Sequence, residues 1–197
     1  MQLMWLCLLV LALSVGAGAQ NPPALTQTRV FTPFNSSGDL VVGLAVTGEA
    51  EGSCDTNSAA SPQRPDAWRC SADNVVLDPC FQNLLGDGKT LACAEDPFSA
   101  NVTMLTLTAT LPDTPVMDDP DFTKGLPWAL ELENSQQCTL LTGATAPVAG
   151  MRINYGCADG SQVVGDINRQ LPLWRVFYMT AIRSLALEQL GVTTTWY

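Results

Sequence analysis

From Thr26 to Trp196 the chain is built of short apolar runs, each ended by a cluster of turn-forming residues. Val102 to Leu111 is the plainest: Leu105, Leu107, Ala109 and Leu111 share one face, Thr106, Thr108 and Thr110 the other, the period of two of a half-buried strand. Trp128, Leu130 and Leu132 alternate with Ala129, Glu131 and Glu133, and Asn134-Ser135-Gln136 turns that run into Cys138 to Thr142. Ala72-Asp73-Asn74 joins Ala67–Ser71 to Val75–Asp78, and Ala158-Asp159-Gly160 joins Met151–Cys157 to Ser161–Val164, so both pairs predict tight hairpins. Thr26–Phe34 and Leu40–Val46 flank Asn35-Ser36-Ser37-Gly38-Asp39 and predict another. Leu173–Met179 reads as a strand, and a closing strand is expected from about Leu190 to Trp196. Glu49 to Pro65 is polar and small and reads as a loop; Leu111 to Gly125, with three prolines, reads as another. The expected fold is all-β, an antiparallel sandwich or a partly open barrel.

Composition adds a compartment. The chain has 197 residues with nine Lys and Arg against nineteen Asp and Glu, a formal net charge of −10, and no histidine. Without histidine, Ser-His-Asp and Cys-His catalysis and His-based metal sites are excluded. The acidity argues against nucleic acid and anionic membrane surfaces as partners. Leu3 to Val15 is an apolar run followed by Ala17-Gly18-Ala19, a small-residue cleavage pattern, so residues 1–19 are expected to be a signal peptide and Gln20 the mature N-terminus. No later stretch is apolar enough to span a bilayer, which leaves no membrane span after cleavage.

Cleavage removes one of the seven cysteines, Cys7, and an even number in an exported chain reads as three disulfides. Of the fifteen connectivities that six cysteines allow, the sequential one is expected: Cys54 with Cys70, Cys80 with Cys93, Cys138 with Cys157. It closes short loops, and its last bond joins two neighbouring strands. Since no cysteine precedes Cys54, residues 20–50 are expected to be a peripheral β-hairpin extension and residues 51–197 the disulfide-stabilised domain.

The densest chemistry lies around Arg64-Pro65-Asp66-Ala67-Trp68-Arg69-Cys70 and Asp78-Pro79-Cys80-Phe81. In an extended segment Trp68 and Cys70 point to one side and Arg69 to the other, so an indole packs beside a disulfide; the competing reading is a ligand surface of Arg64, Trp68 and Arg69. Glu131 and Glu133 share a strand face about 7 Å apart, within range for paired-carboxylate glycoside hydrolysis, although solvated acids on exposed strands share that spacing. Asp113, Asp118, Asp119 and Asp121 lack the spacing of a calcium loop and read as a solvated acidic segment. No metal, cofactor or catalytic residue is expected.

Gly52-Ser53-Cys54, the Arg64–Cys70 and Asp78–Phe81 strings, Cys138-Thr139-Leu140-Leu141-Thr142-Gly143-Ala144-Thr145 and Asn154-Tyr155-Gly156-Cys157 resemble a family of exported bacterial proteins with no established activity. The resemblance runs from about Gly52 to Tyr197 and implies no catalytic residues. Asp55 departs from it, because an aromatic residue often follows the first cysteine in such proteins. The expected function is a non-catalytic binding or structural module, secreted or in the periplasm or cell envelope, with an envelope glycan or a protein as partner. The alternatives are a carboxylate-dependent cell-wall glycoside hydrolase and an inhibitor of a secreted enzyme.

Overall fold

The computed structural model describes residues 25–113, 121–180 and 186–197; the expected signal peptide, Asp118 and Asp119 lie outside them. The described residues form thirteen strands and no helix, and no helix among them is long and apolar enough to cross a membrane. The all-β class and the three sequential disulfides are found. The strands close into two rings.

The short strand β1 (Gln27–Arg29) precedes the first ring, which consists of β2 (Ala45–Asn57), β3 (Ala67–Ala72), β4 (Val75–Gln82), β5 (Thr90–Cys93) and β6 (Asn101–Leu107). Successive strands pair antiparallel, and β6 closes the ring by running parallel to β2 from Ala45↔Asn101 to Gly52↔Leu107. The β3–β4 turn holds Asp73 and Asn74 at φ of 49° and 64°, as a two-residue hairpin loop requires. Cys54 lies opposite Cys70 and Cys80 opposite Cys93, so two disulfides are rungs of this barrel. Their sulfur atoms pack in its interior with Trp68, Leu91, Leu105 and Leu107.

That filling explains why the expected loop at Glu49–Pro65 is instead the second half of β2 as far as Asn57. Where cystines and an indole occupy the interior, the inward residues of β2 must be small, namely Ala50, Gly52 and Cys54. A Cβ on Gly52 would stand 2.2 Å from the Ser71 carbonyl oxygen. Small residues carry no apolar alternation, and the strand reads as loop.

The second ring consists of β7 (Ala129–Leu132), β8 (Gln137–Leu140), β10 (Met151–Cys157), β11 (Gln162–Asn168), β12 (Trp174–Met179) and β13 (Glu188–Trp196), with the two-residue β9 (Pro147–Val148) beside β10. Pairing of β13 with β7 closes it, and the Cys138–Cys157 bond joins β8 to β10. Leu130, Leu132, Tyr155, Val163, Val176, Tyr178 and Val192 fill its interior.

The N-terminal segment is not a peripheral hairpin. Phe34 and Leu40 share a single antiparallel bridge, β1 pairs in parallel with Thr194–Trp196 of β13, and residues 45–50 already belong to β2, so a boundary after residue 50 falls inside a strand. The physical reason is twofold: β13 has an edge at its C-terminal end that β1 covers, and Phe31 fills the space between the rings. Its ring lies 5.2 Å from Phe81 of the first barrel and 5.4 Å from Trp128, which leads into the second, while Phe81 and Trp128 are 5.6 Å apart. Phe31→Ala should therefore destabilise the chain by about 3–5 kcal/mol, the usual cost of emptying a buried phenylalanine site, read as a lower urea midpoint.

Inside the second barrel the hydroxyl of Tyr155 donates to the Pro127 carbonyl, and after β13 the buried Tyr197 donates its hydroxyl to the Phe122 carbonyl. Burial raises both phenols above the ordinary value of 10.0. The unfolded chain then loses these protons first, so stability holds below the unfolded value and falls as pH rises through the folded ones. Urea midpoints measured at about pH 9 and about pH 11 should drop across that interval, and Tyr155→Phe with Tyr197→Phe should flatten the drop.

Candidate functional site

The residues singled out around Cys70 do not share a surface. Arg64 is buried: its Nε and Nη2 donate to Asp66 Oδ1 and Oδ2 at 2.8 and 2.7 Å, and Nη1 donates to the carbonyls of Phe31 at 2.7 Å and Tyr197 at 3.3 Å. The guanidinium carbon sits 5.0 Å from the centroid of Phe81. Arg64 is thus a fastener that gathers the N-terminal segment, the end of β13 and the first barrel. Trp68 lies in the first barrel's interior among the cystines, while Arg69 alone of the three is exposed. The alternation along β3 separates Trp68 from Arg69, as strand geometry demands.

The acids also have structural partners. Glu131 Oε1 accepts a 2.8 Å bond from Trp196 Nε1, and Glu133 Oε1 pairs with Arg175 Nη1 at 3.1 Å. In the acidic segment, Asp121 pairs with Lys124 at 2.8 Å and its pKa is lowered to about 2, chiefly by that lysine. Among the described residues no group of three His, Cys, Asp or Glu side chains is placed to hold a metal ion.

Where the barrels face each other, a cleft of about 450 Å³ opens between the loop joining β5 to β6 and the β8–β10 wall. The loop side is built by Asp96-Pro97-Phe98-Ser99. Asp96 Oδ1 accepts the amide protons of Phe98 and Ser99 at 2.8 and 2.6 Å, a side-chain turn that fixes the loop. Phe98 stands edge-on to Trp196, with centroids 6.3 Å apart, and the Arg29 guanidinium lies 5.3 Å from the same indole. The opposite side presents Gln137 and Thr139 of β8 and Gly156, Cys157 and Ala158 at the end of β10. Thr139 lies opposite Gly156 and Cys138 opposite Cys157, so the disulfide braces this wall.

A second hollow of about 250 Å³ shares Asp96 and Ser99 and extends the trough to Thr47, Glu95, Asn101 and Thr103. Among the described residues no lysine or arginine lines either space. The lining therefore offers carboxylate, amide, hydroxyl and main-chain groups beside one aromatic ring. Sequence reasoning passed over residues 94–100; the aspartate two residues before Phe98 was the available sign of a fixed turn.

No family model, no curated protein and no solved structure matches the chain.

Breaking the fastener leaves the partly buried Asp66 carboxylate without its cation and the two main-chain carbonyls without their donor. Arg64→Met should cost about 3–5 kcal/mol, whereas Arg69→Ala on the outer face should stay within about 0.5 kcal/mol of the parent. Denaturant melts of the two variants check the contrast.

Proposed function

We propose that this is a non-catalytic binding module acting outside the cytoplasm, secreted or held in the periplasm or cell envelope once its apolar leader is removed, and that the cleft between its barrels takes a segment of envelope glycan. The observation that carries the reading is the convergence of polar groups from both barrels beside the Phe98 ring, on walls braced by the Asp96 turn and the Cys138–Cys157 bond. Pockets built between two packed units, partly apolar and with a few oriented polar groups, are the common form of a binding site. A sugar ring has an apolar face for the phenyl group and hydroxyls for Asp96, Ser99, Gln137 and Thr139.

Three disulfides fit an oxidising compartment. The motif resemblance to exported bacterial proteins points the same way. A binding role rather than turnover is supported by the engagement of Glu131 with Trp196 and of Glu133 with Arg175.

The chain from Gln20 onward, titrated with soluble peptidoglycan fragments and chito-oligosaccharides, should show saturable change in tryptophan emission, since Trp196 adjoins Phe98. Phe98→Ala should weaken binding about tenfold, or about 1.4 kcal/mol, with an unchanged melt, and no new reducing ends should form. Absence of saturation with every fragment would count against the glycan, and hydrolysis of a bound fragment would count against the non-catalytic reading.

A further inference from the structure

A separate cavity of about 290 Å³ lies on the first barrel, between the segment at Thr32–Asn35 and the turn after β4. Pro33, Phe34, Leu84 and Leu85 contribute its apolar lining, and the Arg64–Asp66 pair and Gln82 its polar lining. Leu84 and Leu85 are 68% and 64% exposed, an arrangement that leaves two adjacent branched side chains in water. They are nevertheless held in place. Asn83, itself buried, donates from Nδ2 to the Gly38 carbonyl at 2.8 Å and accepts the Leu85 amide proton on Oδ1 at 3.3 Å, while the Gly86 amide donates to the Asn83 carbonyl. On the facing segment, Asn35 Oδ1 accepts the amide protons of Ser37 and Asp39. Both rims are therefore ordered without a ligand, which lowers the entropic cost of filling the space between them.

The polar lining narrows the chemistry. Arg64 directs its donors to Asp66 and to two main-chain carbonyls. Each Asp66 oxygen accepts one bond from Arg64, and an ionised carboxylate has about four lone-pair positions. The pair is neutral as a whole, so it attracts a neutral donor more readily than a second anion or a bare cation. An apolar cavity with acceptor capacity at a neutral ion pair suits a group with an apolar body and one N–H or O–H at its edge.

We propose that this cavity is a second ligand site, distinct from the inter-barrel cleft, and that it receives an indole-like or phenol-like aromatic group whose single donor bonds Asp66. The group is a tryptophan or tyrosine side chain of a polypeptide, which also covers the exposed faces of Leu84 and Leu85.

The test is a titration of the isotopically labelled chain, from Gln20 onward, followed through its amide resonances, with indole, 1-methylindole and a blocked peptide containing one tryptophan. Indole should give saturable shifts centred on Phe34, Gln82, Asn83, Leu84 and Leu85. 1-Methylindole, which lacks the donor, should bind several-fold more weakly. Leu85→Ala should lose the indole shifts while its melt stays that of the parent. Tighter binding of the peptide than of indole supports the polypeptide as occupant, and binding of indole alone overturns it. No saturable shift at these residues with any probe, equal binding of indole and 1-methylindole, or shifts that persist in Leu85→Ala overturn the proposal.

Discussion

Arg64 and Phe31 together set the relation between the two barrels, and the cleft depends on that relation. Phe31 supplies the apolar half, packed between Phe81 and Trp128, while its own carbonyl accepts from Arg64. Arg64 supplies the polar half, since burial of a guanidinium is tolerable only with a full set of partners, and here a bidentate carboxylate and two carbonyls provide them. One of those carbonyls belongs to Tyr197, at the end of the strand that closes the second ring. A single side chain thereby couples the segment after β1, a turn of the first barrel and the residue that follows the last strand of the second.

The disulfides act at a different level. Each joins directly opposed residues of adjacent strands, so each braces one rung within a ring rather than one ring to the other. Two of them also fill the first barrel, which lets a small ring close around cystine, Trp68 and a few leucines. The third stiffens the wall that faces the Asp96 loop. Both cleft walls are thereby held in place, one by a covalent bond and one by a side-chain turn.

The charged side chains singled out in the sequence are engaged within the fold. Arg64, Glu131, Glu133 and Asp121 each have a partner that serves the fold. The carboxylate on the cleft wall, Asp96, accepts two amide protons of its own loop and so helps shape the site that it lines. The absence of histidine from the chain removes the usual proton carrier near neutral pH.

By itself the sequence determined the all-β class, the two tight hairpins at Asp73-Asn74 and Asp159-Gly160, and the placing of Trp68 and Cys70 on one side of their strand with Arg69 on the other, because each follows from side-chain alternation and turn chemistry over a few neighbouring residues; the sequential disulfide pattern followed from the short loops it closes. The sequence did not reveal the second half of β2, whose inward Ala50, Gly52 and Cys54 are small only because of what distant strands place in the barrel. Nor did it distinguish Arg64 from Arg69 as surface or interior, since the partners of Arg64 include Phe31 and Tyr197, thirty-three positions before it and 133 after it. The ring closures, the parallel docking of β1 on β13 and the cleft between Phe98 and Thr139 were decided by the tertiary structure. Local pattern states which way a side chain points from its strand; only the closing of the rings states whether that direction leads to a barrel interior, to the junction or to water.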